Sequence, residues 1–154
     1  MEEFVAITAP AGAALPSGRR VPLGATATAF VTMINTDGNA AASCGVAPQT
    51  AVAAEFSFQT TDPATNQPVG EVNQSVDIPG GASQSFVISF TPTEAFDDTT
   101  IELQYTCGNA DPAAVLPGVN TFSLAASDVA SADVIALSST PSADGVVDIP
   151  GSSG

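Results

Sequence analysis

The chain has 154 residues, 44% of them hydrophobic, which suits one ordinary domain with its own core. Only 12% of the residues are charged: 16 are acidic and two, Arg19 and Arg20, are basic, so the net charge is −14. A field of that sign repels phosphate backbones and anionic lipids, and we expect no nucleic acid partner. Glycine, proline or polar residues interrupt every apolar stretch, which predicts no insertion into a membrane.

The spacing of glycine and proline along the chain is typical of many short strands. Residues 1–24 contain Pro10, Pro16 and Pro22, which predicts an extended lead-in with an edge strand at residues 4–8. Residues 25–34 are β-branched and apolar enough for a central strand, and Asp37-Gly38 then predicts a hairpin turn. Further strands are predicted at residues 40–46, 51–60, 71–78, 84–90, 101–107 and 119–127.

The clearest pattern lies in residues 84–107, which read as two strands joined by a short acidic connection. Apolar and polar residues alternate along both strands, so one face of each strand is predicted to be buried. The buried positions are Phe86, Ile88 and Phe90 in the first strand, and Ile101, Leu103, Tyr105 and Cys107 in the second. Tyr105 is therefore predicted to anchor the core, and Cys107 brings a sulfur into it.

Residues 128–154 predict a C-terminal strand pair, at residues 133–137 and 146–149. Val-Asp-Ile-Pro-Gly occurs at residues 147–151 and also at residues 76–80. A repeat this short arises by chance or marks the start of a second module, and both interpretations stay open. The predicted organisation is a lead-in at 1–24, one domain at 25–127, and a strand pair, linker or following module at 128–154.

The absence of histidine and lysine excludes most catalytic chemistry within this chain. A Ser-His-Asp triad, a Cys-His pair, a histidine-ligated zinc and a Schiff-base lysine each need one of these residues. Glycine-rich loops with phosphate-binding spacing are also missing. The sequence therefore predicts a protein that is not an enzyme, with no catalytic residues and no cofactor. An enzyme that uses carboxylates alone stays open as an alternative, and it would need two acidic groups that converge in a pocket.

Carboxylates are the remaining groups that could bind a metal. Glu94, Asp97 and Asp98 fall in the connection before the strand at residues 101–107, and oxygen ligands of this kind suit Ca²⁺. Their spacing does not follow the loop pattern of known calcium motifs, so a solvated acidic loop is the simpler interpretation. Calcium at these three residues is kept as the alternative.

Cys44 and Cys107 are the two cysteines of the chain, and neither belongs to a Cys-x-x-Cys motif. Both lie in predicted strands, so they form either one long-range disulfide or two buried thiols. We favour the disulfide, which would stabilise the fold by about 4 kcal/mol by restricting the unfolded chain. Disulfides persist in oxidising compartments, and we expect a secreted, periplasmic or cell-surface protein. The first residues lack the features of a signal peptide, so we interpret the chain as a mature segment.

Cys44, Cys107 and the triplet Tyr105-Thr106-Cys107 resemble an immunoglobulin-like β-sandwich with its tyrosine corner. The resemblance implies an all-β, two-sheet antiparallel sandwich of about seven to nine strands. It places Cys44 on a B-like or C-like strand and Cys107 on an F-like strand, so that the disulfide links the two sheets. The core tryptophan of antibody domains is absent, and Phe56 or Phe58 falls near its place.

The turn at Asn35-Thr-Asp-Gly and the stretch at residues 76–92 resemble the Ig-like modules of large bacterial secreted or surface proteins. This resemblance covers residues 25–127. It implies a non-catalytic structural or adhesive module that contacts a protein or glycan through loops or sheet edges. An edge strand pairing with a second copy would give a homodimer. The alternative is a module that binds Ca²⁺ or a glycan through its acidic loops.

Overall fold

The computed structural model of the chain describes residues 5–129, which form nine β-strands in two sheets. The strands are β1 Ala11–Leu15, β2 Gly18–Pro22, β3 Ala27–Ile34, β4 Ala41–Pro48, β5 Ala54–Thr61, β6 Val76–Ile78, β7 Ser83–Pro92, β8 Phe96–Thr106 and β9 Thr121–Ser127. Each strand predicted between residues 25 and 127 overlaps an observed strand, and the predicted all-β immunoglobulin-like sandwich is confirmed. The strand pair predicted after residue 128 lies outside the described residues.

The four-stranded sheet has the order β1-β3-β7-β5, and the five-stranded sheet has the order β2-β9-β8-β4-β6. In immunoglobulin lettering these orders correspond to A-B-E-D and to G-F-C with flanking strands. All pairs are antiparallel except β2 with β9, which run parallel from Gly18 beside Ser123 to Pro22 beside Ser127. The expected antiparallel sandwich therefore has one parallel pair, at the edge of its larger sheet.

The connections between strands mostly cross from one sheet to the other. Seven of the eight connections among the described strands do so, and only β8 and β9 follow one another within a sheet. The hairpin predicted at Asp37-Gly38 is wrong, because β3 pairs with β1 and β7 whereas β4 pairs with β6 and β8. The two strands of residues 84–107 are likewise not partners, since β7 and β8 lie in different sheets. Turn residues such as Asp-Gly predict where the chain reverses its direction. They do not predict whether the two flanking strands pair with each other.

The N-terminal region contributes a strand to each sheet. Residues 11–22, predicted as part of an extended lead-in, form β1 on β3 and β2 on β9. Both are edge strands, separated by a cis Leu15–Pro16 peptide bond. The segment predicted as a strand at residues 4–8 makes one isolated bridge, between Ile7 and Ala110. The sheets therefore begin at residue 11, although residues 11–22 have low intrinsic preference for strand.

The core fills the space between the sheets with the alternating apolar residues of β3, β7, β8 and β9. Phe90 of β7 stacks on Phe122 of β9, with ring centroids 5.5 Å apart and the planes 8° from parallel. Phe56 packs on Phe90 and Phe58 packs edge-on against Phe86, so the phenylalanines of β5 extend the core to its edge. The Phe90–Phe122 contact joins the two sheets, whereas the other two contacts lie within the four-stranded sheet.

Several features of the edge strands hinder hydrogen-bonded pairing with other chains. The residues after β5 fold back onto it, where Asn73 exchanges backbone and side-chain hydrogen bonds with Phe58. Val69 does the same with Thr60. β6 has three residues, and β2 contains Pro22 and both arginines. Residues 5–129 contain no helix that is long and apolar enough to cross a membrane.

Candidate functional site

The two cysteines form a disulfide bond inside the five-stranded sheet. Gly45 pairs with Thr106, which sets Cys44 on β4 opposite Cys107 just after β8, with their Cα atoms 4.0 Å apart. Both residues are buried in the core. The predicted disulfide is confirmed, but its predicted position between the sheets is wrong. Cys44 lies on the C-like strand, a direct neighbour of the F-like strand, so the bond is a cross-strand staple.

Tyr105 is fully buried, as predicted for a core anchor, and its hydroxyl donates a hydrogen bond of 3.2 Å to the carbonyl of Asn120. In a tyrosine corner the acceptor lies a few residues upstream, whereas here it lies 15 residues downstream. The bond therefore secures the long connection between β8 and β9. Burial raises the pKa of Tyr105 far above its usual range, so its hydroxyl stays protonated and serves no acid–base chemistry.

Gly12 of β1 lies against the ring of Tyr105. A Cβ atom at this position would approach Tyr105 Cδ1 to 2.8 Å, closer than carbon atoms pack. The backbone of Gly12 in the four-stranded sheet thus packs directly against the Tyr105 ring of the five-stranded sheet. A Cβ atom at Gly45 would lie 3.1 Å from the ring of Phe58, a similar but looser approach. These two glycines let the aromatic rings lie between the sheets.

The acidic residues predicted as a calcium site are exposed, and they do not occupy one loop. β8 begins at Phe96, so Asp97 and Asp98 belong to the strand while Glu94 precedes it. Asp98 accepts a short hydrogen bond from the Ser123 hydroxyl on β9. Within residues 5–129 no three His, Cys, Asp or Glu side chains are grouped so as to hold a metal ion. Calcium binding at Glu94, Asp97 and Asp98 stays a prediction.

Three polar residues whose contacts the sequence does not predict organise one end of the sandwich. Asn35 is fully buried, and its amide nitrogen donates to the carbonyls of Asn39, Ile78 and Pro79. It therefore joins the β3–β4 connection to the β6–β7 connection. Asn109 donates to the carbonyls of Val5 and Ala40 and accepts from the backbone N–H of Ala42. The sequence offered one signal, the Asn35-Thr-Asp-Gly-Asn turn, which was interpreted as a hairpin.

Asp37 is the third of these residues and holds the N-terminal segment. Its carboxylate accepts hydrogen bonds from the backbone N–H and the hydroxyl of Thr8, and from the backbone and side chain of Asn39. Since these donors favour the charged form, chiefly the Thr8 N–H, they lower the pKa of Asp37 from 3.8 to about 2. The arrangement is structural, because every donor belongs to the chain itself.

Two open depressions among residues 5–129, at opposite ends of the sandwich, are large enough for a small ligand. One of about 380 Å³ is lined by Ala6, Ile7 and residues 108–111, and another of about 460 Å³ by residues 95–97 and 126–129. Asp111 is the carboxylate of the first, and Asp97 and Asp128 are those of the second. The second lining also contains Ser127, whose hydroxyl donates a hydrogen bond of 2.6 Å to the Val129 carbonyl. Nucleophilic catalysis requires instead that a base accept the proton of the nucleophile.

No protein-family model matches the chain, and no curated protein matches it. Three solved structures illustrate its likeness to other folds. A family 123 glycoside hydrolase from Clostridium perfringens, studied for glycolipid glycan hydrolysis, aligns at 10% identity and a TM-score of 0.47 over 83% of this chain and 28% of the hydrolase. PapD-like domain 7 of human CEP192 aligns at 10% identity and 0.39, over 79% and 87% of the two chains. SSP-19, an MSP-domain protein of Caenorhabditis elegans, aligns at 13% and 0.36, over 74% and 97%.

These likenesses concern the two-sheet, all-β architecture and carry no argument about activity. The chain spans little more than a quarter of the hydrolase. What the hydrolase does to glycans is therefore a property of that longer protein.

Proposed function

We propose that this chain is a non-catalytic structural or adhesive module of an exported bacterial protein. The observation that carries the proposal is the buried disulfide between Cys44 and Cys107, which closes β4 against β8. Such bonds form and persist in oxidising compartments, and reducing cytosol removes them. The bacterial setting rests on the resemblance of residues 76–92 to modules of secreted and surface proteins.

The non-catalytic role is supported by the chemistry of the described side chains. The chain contains no histidine or lysine, and the Tyr105 hydroxyl is buried and protonated. Among the carboxylates of residues 5–129, Asp37 has a strongly lowered pKa, and it is engaged by Thr8 and Asn39 within the fold. A general acid or base needs a titrating group that can reach a substrate, and these groups are committed to structure instead.

A structural role is also supported by how the sandwich is tied together. Hydrogen bonds from Asn109 reach Val5, 104 residues earlier in the chain, and Asn35 reaches Pro79, 44 residues later. The disulfide adds a covalent tie between residues 63 apart. Ties between distant parts of the chain resist local opening, which suits a module that has to keep its shape outside the cell.

Production in two compartments tests the proposal. The chain is made in one bacterial host, once directed to the periplasm and once kept in the cytosol, and the two preparations are compared. We expect the exported protein to carry the disulfide, and to melt higher and resist protease longer than the reduced cytosolic protein. A Cys44→Ala/Cys107→Ala variant is the matched control, because its two preparations should behave alike.

The result that contradicts the proposal is equal stability of the oxidised and reduced protein. In that case the disulfide contributes nothing to the fold, and a cytosolic setting suits the chain equally well. Turnover of a substrate by the purified chain would separately overturn the non-catalytic part of the proposal.

A further inference from the structure

The outer face of the four-stranded sheet carries a row of apolar side chains. Leu15 of β1 pairs with Phe30 of β3, and Phe30 pairs with Val87 of β7, so the three lie side by side across neighbouring strands. Leu15 is 71% exposed and Phe30 is 41% exposed. Ile34, further along β3, is 44% exposed. We call Leu15, Phe30 and Val87 the apolar row.

The side chains around the apolar row are small and mostly hydroxylated. The other outward positions on the four strands are Ala11, Ala13, Thr28, Thr32, Ile34, Ser83, Ser85, Ser89, Thr91, Glu55, Ser57 and Gln59. Thr61, at the end of β5, is buried. Of all these described outward positions, Glu55 at one corner is the charged one. An apolar centre with a polar, uncharged rim is the composition of a protein interface.

This face differs from the rest of a chain with net charge −14. The five-stranded sheet exposes four carboxylates on β6 and β8, namely Asp77, Asp97, Asp98 and Glu102. Two copies that met through those strands would bring like charges together, which costs free energy. Two copies that met through the outer face of the four-stranded sheet would avoid this repulsion.

We propose that the outer face of the four-stranded sheet is the contact surface of a homodimer, in which the apolar rows of two copies pack against each other. The contact is isologous, with a two-fold axis that lies between the faces. If the axis runs along the strands, β5 of one copy faces β1 of the other. If the axis runs along the apolar row, one end of each strand faces the opposite end of the strands in the second copy. Neither places Glu55 opposite its own symmetry mate, so the two corner carboxylates stay apart.

The size of the face sets the expected strength of the dimer. Four strands about 4.8 Å apart, with up to eight residues at about 3.3 Å each, give a planar extent of about 500 Å². Two such faces bury about 1,000 Å², at the small end of specific protein interfaces. We therefore expect a dissociation constant between about 10 µM and about 1 mM.

A face contact also fits the state of the sheet edges. The hydrogen bonds between Asn73 and Phe58, and between Val69 and Thr60, cover part of β5, and the Val119 carbonyl accepts from Ala14 of β1. Edge pairing of the four-stranded sheet would have to displace these bonds. Packing through the face leaves them in place.

Sedimentation equilibrium of the full chain tests the proposal, from about 1 µM to about 1 mM protein. It is run at about 0.15 M and about 1 M NaCl. We expect a monomer–dimer equilibrium that tightens at the higher salt, because screening removes repulsion between two copies of charge −14. Leu15→Glu and Ile34→Glu should each weaken the dimer about tenfold or more, since each buries a carboxylate in the contact.

Gln104→Glu is the matched control, because it adds the same charge to β8 of the other sheet; it should change the dissociation constant less than about twofold. A chain that stays monomeric throughout overturns the proposal. So does a dimer that Leu15→Glu and Ile34→Glu leave intact. If the chain is monomeric and Leu15→Glu also lowers its melting temperature by several degrees, the face is covered within one copy, and the second copy is the wrong occupant.

Discussion

The two sheets of the sandwich share one core but differ in what they expose and in how they are tied together. The five-stranded sheet contains the disulfide and exposes the carboxylates of β6 and β8, together with the arginines of β2. The four-stranded sheet has no covalent tie and exposes Leu15, Phe30 and Ile34 among hydroxyl groups. The five-stranded sheet thus exposes charged groups and the four-stranded sheet exposes apolar and hydroxyl groups, a difference that the net charge of −14 for the whole chain does not reveal.

The largest expected effect comes from breaking the tie of the five-stranded sheet. Replacing both cysteines, as Cys44→Ala/Cys107→Ala, should lower the free energy of unfolding by about 4 kcal/mol, because the bond closes a loop between residues 63 apart. Urea unfolding with and without reductant measures it. Reductant should destabilise the wild type by a similar amount and leave the double variant unchanged. A loss below about 1 kcal/mol would mean that β4 and β8 do not depend on their covalent tie.

The next effect tests where the four-stranded sheet meets Tyr105 of the other sheet. Gly12→Ala places a methyl group 2.8 Å from the Tyr105 ring, so overpacking should cost about 1–3 kcal/mol. Ala13→Val, on the outward side of the same strand, is the matched control and should change stability by less than about 0.5 kcal/mol. Equal effects of the two substitutions would show that the sheets do not approach as closely as described.

A smaller effect is expected at the hydroxyl of Tyr105. Tyr105→Phe keeps the ring and removes the hydrogen bond to the buried Asn120 carbonyl, which should cost about 1–2 kcal/mol. Hydrogen exchange should rise mainly in the connection that precedes β9. A uniform rise across both sheets would mean that the hydroxyl supports the whole core and not that connection.

The smallest effect is expected at the Asp37 carboxylate, in the crossing from β3 to β4, and it depends on pH. The pKa of Asp37 is lowered from 3.8 to about 2 when the chain folds, so its ionised form stabilises the fold above about pH 4. That contribution should disappear as pH falls from about 4 to about 2. Asp37→Asn should therefore melt lower than wild type at neutral pH, and the difference should shrink toward pH 2. A difference that does not change with pH would show that charge on Asp37 is not what holds Thr8.

The strands of the central region were predictable because burial alternates along them. Strict alternation of apolar and polar residues is typical of a strand with one buried face. The apolar positions Phe86, Phe90, Ile101 and Tyr105 follow this alternation, and all four are buried as expected. β1 and β2 were not predicted, because Ala-Gly-Ala-Ala-Leu and Gly-Arg-Arg-Val-Pro have little preference for strand. Their pairing with β3 and β9 decides their conformation, and pairing is a property of the whole fold.

Strand pairing also explains what was wrong about the candidate site. Two cysteines allow a single disulfide pairing. Whether that bond lies within one sheet or between the sheets depends on strand order, and here β4 and β8 are neighbours. The sequence around Cys44 does not indicate that β8 is the neighbouring strand. The buried Asn35 was missed for the same reason, since its acceptors Ile78 and Pro79 come from a distant connection.

A covalent bond between Cys44 and Cys107 closes the five-stranded sheet, and the proposal of an oxidising compartment rests on it. Titration of thiols in the exported protein, denatured without reductant, measures whether this bond is present. We expect no titratable thiol before reduction and two after it, one each from Cys44 and Cys107. Two titratable thiols before reduction would contradict this expectation.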